Sequence, residues 1–134
     1  FAPNRSLAYY TDTMSRRVMK QVLDRYGWPD GDPEIHLDLR AEELNPDGAV
    51  IDADGNMWLA QWGAARVAVY DPEGAFLKAI EIDAVQASCP AFGGPDLSDL
   101  YITSAAIGQN GARDGMTFIA KNAGKGQPEP RVLL

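Results

Sequence analysis

The residue best placed to carry out chemistry is Asp47, which stands in the motif Asn45-Pro46-Asp47-Gly48 directly ahead of an apolar run. A carboxylate at such a position can accept a proton from water or hold a cation. The residues alone favour another role, a turn aspartate that follows a proline and accepts local backbone N–H groups. Both interpretations place Asp47 at a tight turn just before a strand.

Other chemistry-bearing residues are weaker candidates. Cys89, the only cysteine, has no second cysteine and no evident histidine partner, so we expect a small, buried apolar role. His36, the only histidine, lies on an alternating segment and should be half-exposed. The stretch 52–56 has the Asp and Gly residues of a calcium loop, but Gly63 stands where such a loop needs Glu. We therefore predict a hairpin turn there.

The elements that must position Asp47 are short strands joined by tight turns. Asp54-Gly55 between apolar runs is a strong hairpin signal, and residues 24–33 form a polar loop rich in Gly, Pro and Asp. Residues 16–23 fit either a strand or two turns of helix; we favour the strand.

These strands recur as a repeat. Tyr9, Trp58 and Tyr101 each come near the start of a unit's second strand, 49 and 43 residues apart. A period of roughly 40 to 50 residues with four short strands per unit predicts an all-β fold, a β-propeller. The alternative is a β-sandwich of unrelated hairpins. The predicted blades cover about residues 1–40, 41–84 and 85–134.

Aligning the units gives Asp47 a counterpart. Ile51 aligns with Phe92 and with Phe1, each the last apolar residue before a turn, so Ser88 corresponds to Asp47. The chain begins just after the equivalent position of its first unit. Because the first strand of a propeller blade lines the central channel, we expect Asp47 and Ser88 at the channel mouth. Three blades are fewer than the usual four to eight, so we expect a fragment or an assembly that completes a ring.

Composition excludes several classes of function. The 134 residues carry a net charge of -7, which argues against nucleic-acid binding, and no apolar run approaches membrane-spanning length. The hydrophobic fraction of 46% is that of a globular protein rather than a disordered one. One cysteine suits a reducing compartment, so we expect a cytoplasmic location without membrane association.

Several motifs together resemble the SMP-30/gluconolactonase/LRE family of regucalcin-like lactonases. They are Asn45-Pro46-Asp47-Gly48, the segment 52–58, Trp62-Gly63, the segment 70–74, the segment 88–96 and the segment 126–131. The resemblance covers nearly the whole chain. It implies a six-bladed propeller roughly twice this length, with one divalent metal in the channel, of which this chain is the C-terminal half.

The resemblance also implies roles for individual residues. The family's metal is held by a Glu, an Asn and the Asp of the Pro-Asp-Gly motif, and only the last maps here, onto Asp47. Ca²⁺ is the expected ion, with Mg²⁺, Mn²⁺ or Zn²⁺ as alternatives. Asp47 would be both metal ligand and catalytic carboxylate, while Ser88 and Trp62 would contact substrate.

The leading hypothesis is therefore a metal-dependent lactonase that hydrolyses a sugar lactone or a similar ester. Its partners would be the lactone and either the missing N-terminal half or another copy of the chain. A second hypothesis is a non-catalytic half-propeller that acts as a binding or assembly module. A third is a related propeller hydrolase with another substrate, such as a phosphotriester.

Overall fold

The computed structural model describes residues 1–128, and these form an all-β chain of ten strands without a helix. The predicted strand at residues 131–134 lies outside the described residues. The strands are β1 (Leu7–Asp12), β2 (Arg17–Val22), β3 (Glu34–Asp38), β4 (Asn45–Ile51), β5 (Met57–Trp62), β6 (Arg66–Tyr70), β7 (Phe76–Glu81), β8 (Gln86–Gly93), β9 (Asp99–Ala105) and β10 (Thr117–Ala120). The choice of a strand over a helix for residues 16–23 is confirmed by β2.

The strands form three antiparallel groups in chain order, which we call units 1, 2 and 3. Unit 1 is β1-β2-β3, unit 2 is β4-β5-β6-β7, and unit 3 is β8-β9-β10. A single residue pair, Trp62 with Gln86, joins units 2 and 3 into one continuous sheet. That the units are three blades of a six-bladed ring stays a prediction.

Aspartate side chains shape the tight turns. In the turn after β4, Asp52 Oδ1 accepts from the N–H groups of Asp54 and Asn56 at 3.0 and 2.8 Å. Gly55 has a φ of +91°, which glycine adopts without strain. Asp71 accepts two backbone N–H groups in the same way in the turn after β6. These hydrogen bonds confirm the hairpin at residues 52–56. They also occupy the Asp52 carboxylate, which a calcium-binding loop would use as a ligand.

Strand β5 is buried on both of its faces. Met57 and Leu59 pack into one apolar cluster with residues of unit 1, including Val18 and Leu37. Trp58 and Ala60 lie in a second apolar cluster that includes residues of unit 3. A strand covered on both sides needs a continuous apolar run instead of alternation, as in buried parallel sheets. This explains the uninterrupted apolar segment 57–60.

The two outer faces are open. On unit 1 the register places Tyr10, Met19 and Ile35 in one row across the sheet, and Tyr10 and Ile35 are exposed. On unit 3, Tyr101 pairs with Ile119, and these two side chains are 39% and 45% exposed. Each outer unit therefore presents an uncovered apolar row of the kind that unit 2 buries.

The segment 123–127 crosses back over the ends of the units. Lys125 O accepts the Ala53 N–H at 2.8 Å, and Gly126 N–H donates to Leu97 O at 2.8 Å. Gln127 Nε2 donates to the carbonyls of both Phe1 and Ile51 at 3.1 Å. The segment thus connects Phe1 with Ile51, which occupy equivalent positions of units 1 and 2 in the sequence alignment.

Among residues 1–128 no helix is long and apolar enough to cross a membrane.

Replacing a residue of the doubly covered strand should cost more stability than replacing an exposed one. Leu59 is 0% exposed, whereas Leu77 on β7 is 52% exposed. We expect Leu59→Ala to lower the free energy of unfolding by about 2–5 kcal/mol, and Leu77→Ala by less than about 0.5 kcal/mol. Urea denaturation followed by tryptophan fluorescence measures both. Equal losses would contradict the two-faced core.

Candidate functional site

Asp47 lies inside strand β4, at a β-bulge. Pro46 pairs with Gln61 and Ala49 with Leu59, and the register shifts between these two pairs. The prediction that Asp47 precedes the strand is therefore wrong. Pro46 is tolerated in a strand because, among the described residues, β4 pairs only with β5, so one edge needs no N–H donor.

Ser88 occupies the same place in unit 3. Ile51 pairs with Met57 in unit 2, and Phe92 pairs with Leu100 in unit 3. We align the two strand pairs by matching these two residue pairs. On that register Ser88 corresponds to Asp47, and it too lies at a bulge, between Ala87 and Cys89. The equivalence obtained by counting along the sequence is thus present in the strand pairing. A role for Ser88 in substrate binding stays a prediction.

The two bulges are packed against each other. A Cβ atom placed on Gly48 would lie 2.7 Å from both the Cys89 Sγ and the Ser88 carbonyl oxygen. Real Cβ atoms do not approach so closely, so only glycine allows this contact. The structure therefore brings Asp47 and Ser88 together, through the backbone of Gly48.

The surroundings of Asp47 disfavour negative charge. Burial raises the pKa of the Asp47 carboxyl above its usual range, and the hydrogen bond from the Gly48 N–H offsets this only in part. Within the described chain Asp47 forms no ion pair with a lysine or arginine. A half-buried carboxylate without a cationic neighbour is suited to bind a metal ion or to accept a proton.

The thiol of Cys89 is close enough to Asp47 for the carboxylate charge to affect its pKa. Burial first, and then the negative charge of Asp47, raise the pKa of the Cys89 thiol. A raised thiol pKa disfavours the thiolate, so Cys89 is a poor nucleophile. This agrees with the expectation of no catalytic role, although Cys89 is exposed rather than buried as predicted.

Hydroxyl groups lie beside both bulges, and of these only the Ser88 hydroxyl was predicted from the sequence as part of a site. Ser88 Oγ and Thr103 Oγ1 are 2.8 Å apart, and Thr103 Oγ1 donates to the Cys89 carbonyl at 3.2 Å. From unit 1, Thr11 Oγ1 donates to Asp47 O at 3.2 Å and Thr13 Oγ1 donates to Pro46 O at 2.8 Å. The sequence separations of 33 and 36 residues give no local signal for the contacts from unit 1.

Trp62 lies at the same end of unit 2 as Asp47. It pairs with Asn45 at the start of β4 and with Gln86 at the start of β8. Its side chain is half-buried. Trp62 therefore marks the junction of units 2 and 3 near the bulges, and its contact with a substrate stays a prediction.

His36 lies outside this region. Its ring is 4.9 Å from that of Tyr9, and burial lowers its pKa. The side chain is half-buried, as predicted, and packs beside an aromatic residue.

The donor set at the bulges fits part of a metal site. Asp47 offers carboxylate oxygens, which are the hard ligands that Ca²⁺, Mg²⁺ and Mn²⁺ prefer. Residues 1–128 contain no group of three or more His, Cys, Asp or Glu side chains that could hold an ion by themselves. A site with three such side chains would need at least one of them from outside these residues.

Comparisons with known proteins agree with this picture. A family model described as SMP-30/Gluconolactonase/LRE-like region matches residues 1–106. The chain is 36% identical, over 78% of its length, to a 6-deoxy-6-sulfogluconolactonase of Pseudomonas putida, and 35% identical, over 81%, to an L-arabinolactonase of Azospirillum brasilense. It covers 36% and 35% of those two relatives.

A solved structure matches the whole chain. It is that of a calcium-binding protein, regucalcin, from Agrobacterium tumefaciens str. C58, with a TM-score of 0.92 and 36% identity. The match covers 100% of this chain and 48% of that one. The chain thus spans between a third and half of the length of these three proteins.

The proximity of Asp47 to Cys89 can be measured with the single native thiol. Asp47→Asn removes a negative charge that raises the Cys89 pKa, so the thiolate fraction at pH 8 should increase. We expect faster reaction with a chromogenic disulfide reagent, and a lower midpoint in the pH profile of the rate. Asp54→Asn, in the exposed turn after β4, is the matched control. Equal rates for both variants would contradict the proximity.

Proposed function

The chain belongs to the SMP-30/gluconolactonase/LRE-like family, and on this premise we propose that the protein hydrolyses a sugar lactone or a similar cyclic ester with the help of a divalent metal ion. Two relatives that carry lactonase names support the reaction class. The observation that carries the proposal for this chain is the half-buried Asp47 carboxylate, with a raised pKa and without a cationic neighbour in the described residues.

In this proposal Asp47 is the metal ligand that the chain supplies. A divalent ion held by Asp47 would supply Lewis-acid chemistry, polarising the ester carbonyl and lowering the pKa of a water molecule. Ca²⁺ is favoured because the solved structure that matches the whole chain is that of a calcium-binding protein, and Mg²⁺, Mn²⁺ and Zn²⁺ are alternatives. The remaining ligands, a Glu and an Asn by family resemblance, would come from outside the described residues.

Asp47 can also move a proton. A carboxylate within hydrogen-bond reach of the attacking water can accept its proton as the ester carbonyl is attacked. The half-buried position of Asp47 would keep its carboxylate away from bulk water while the proton is transferred. Ser88 Oγ, already hydrogen-bonded to Thr103, would bind a sugar hydroxyl, and Trp62 would form the rim.

The open outer faces favour a second candidate, an assembly module without catalysis. The apolar rows of units 1 and 3 are the surfaces that further units would cover. The rest of a propeller or another copy of the chain would fit them equally. Only an occupant that brings the Glu and Asn ligands would also complete the site, so assembly of that kind is a condition of the first proposal as well as an alternative to it.

Metal-dependent hydrolysis is testable with one matched pair of variants. We expect proton release from gluconolactone or arabinolactone, above the spontaneous rate, that EDTA abolishes and Ca²⁺, Mg²⁺, Mn²⁺ or Zn²⁺ restores. Asp47→Asn should lower kcat/KM about 10²–10⁴-fold, whereas Asp54→Asn, an exposed carboxylate near the far end of the same strand, should leave it unchanged.

Native mass spectrometry identifies the assembled species before the assay. Assembly without hydrolysis at any metal concentration would favour the second candidate. Hydrolysis that survives Asp47→Asn would refute the role given to Asp47.

A further inference from the structure

The backbone of the Asp47 bulge is held by side chains of the neighbouring unit. A bulge interrupts a ladder, and the carbonyl groups inside it need donors from elsewhere. Thr13 Oγ1 donates to the Pro46 carbonyl at 2.8 Å, and Thr11 Oγ1 donates to the Asp47 carbonyl at 3.2 Å. Two successive carbonyls of unit 2 are therefore bound by hydroxyls of unit 1.

A third contact extends this set by one residue. Arg16, in the turn between β1 and β2, donates from Nε to Asn45 Oδ1 at 3.1 Å. Asn45 in turn donates to the Trp62 carbonyl at 3.5 Å. The β1–β2 hairpin thus contacts the consecutive residues 45, 46 and 47, and we call this set of three contacts the hairpin clamp.

The equivalent bulge in unit 3 has no such clamp among the described residues. Strands β1 and β5 have equal length, and their first residues, Leu7 and Met57, are matched in the alignment. Gln61 then corresponds to Thr11, and Gly63 corresponds to Thr13. Gly63 has no side chain to donate. The Gln61 side chain is engaged inside unit 2, with the Tyr70 hydroxyl at 2.9 Å and Arg66 Nε at 2.7 Å.

The bulge at Ser88 instead receives its donor from its own unit, from Thr103. Among the described residues, side-chain hydroxyls of the adjacent unit bind backbone carbonyls only at the bulge that carries a carboxylate. At the start of β8 the adjacent unit supplies backbone contacts instead, the Trp62–Gln86 pair and the hydrogen bond from the Ala65 N–H to the Val85 carbonyl at 3.0 Å. General stabilisation of the fold would not require this difference, because both bulges have the same register. A need to fix the position of Asp47 accounts for it.

We propose that Thr11 and Thr13 are positioning residues, whose hydroxyls fix the backbone of Asp47 and so the placement of its carboxylate. The proposal rests on the function proposed for Asp47. Neither threonine needs to touch substrate or metal. Positioning groups behind a metal ligand typically contribute 10–100-fold in metal affinity, and small misplacements of a reacting group are costly to rate.

The test uses Thr13→Val, which keeps the shape and removes the donor, and Thr13→Ser, which keeps the donor. Thr11→Val is a second removal, and Thr117→Val on the exposed strand β10 is the matched control. The first readout is the ¹⁵N order parameter of Gly48, which requires no metal. The second is the affinity for Mn²⁺, measured by calorimetry.

We expect the Gly48 order parameter to fall from about 0.85 to below about 0.6 in Thr13→Val, and to stay high in Thr13→Ser and Thr117→Val. Affinity for Mn²⁺ should fall about 10-fold in Thr13→Val and recover in Thr13→Ser. An unchanged order parameter at Gly48 in both valine variants would overturn the proposal. The proposal would also be overturned if a valine variant had a lowered order parameter at Gly48 but the same affinity for Mn²⁺ as the starting protein.

Failure of the proposed function is a separate result. If the assembled protein, with the remaining ligands present, binds no Mn²⁺ at any concentration tested, the metal site is refuted, and the clamp is then judged by the order parameter alone. If valine at position 13 prevents folding, Thr11→Val supplies the same comparison from the second hydroxyl.

Discussion

Burial of both faces of the middle sheet is the constraint on which the rest of the structure depends. A sheet with two apolar faces has no stable form in water unless a neighbour covers each side. Unit 1 covers the face that carries Met57 and Leu59, and unit 3 covers the face that carries Trp58 and Ala60. Stacking the units face to face aligns their first strands side by side, and this alignment brings the bulge at Asp47 against the bulge at Ser88.

The same constraint explains why the candidate site belongs to several units at once. The carboxylate lies on unit 2, the hydroxyls that hold its backbone come from unit 1, and Ser88 comes from unit 3. No unit could form this arrangement alone. A site shared in this way depends on the packing of units 1 and 3 against the two faces of unit 2.

Sequence reasoning recovered the features that have local signals. Asp-Gly turns, loop composition and apolar runs were sufficient to place the strands, and counting back from Ile51 and Phe92 was sufficient to pair Asp47 with Ser88. The prediction that Asp47 precedes the strand was wrong because proline usually interrupts strands. Pro46 fits within β4 because, among the described residues, β4 pairs on one side only. No sequence pattern identified Thr11 and Thr13 as functional residues. Their contacts span 36 and 33 residues, respectively, and form only when the units pack against each other. The exposure of Cys89 also depends on tertiary packing.

The measurement that tests the central claim most directly is an anomalous difference map from crystals of the protein grown with Mn²⁺. The account predicts a peak at ligand distance, about 2.0–2.6 Å, from a carboxylate oxygen of Asp47, which Asp47→Asn removes. A peak elsewhere, with Asp47 free of the ion at saturating Mn²⁺, would contradict the account.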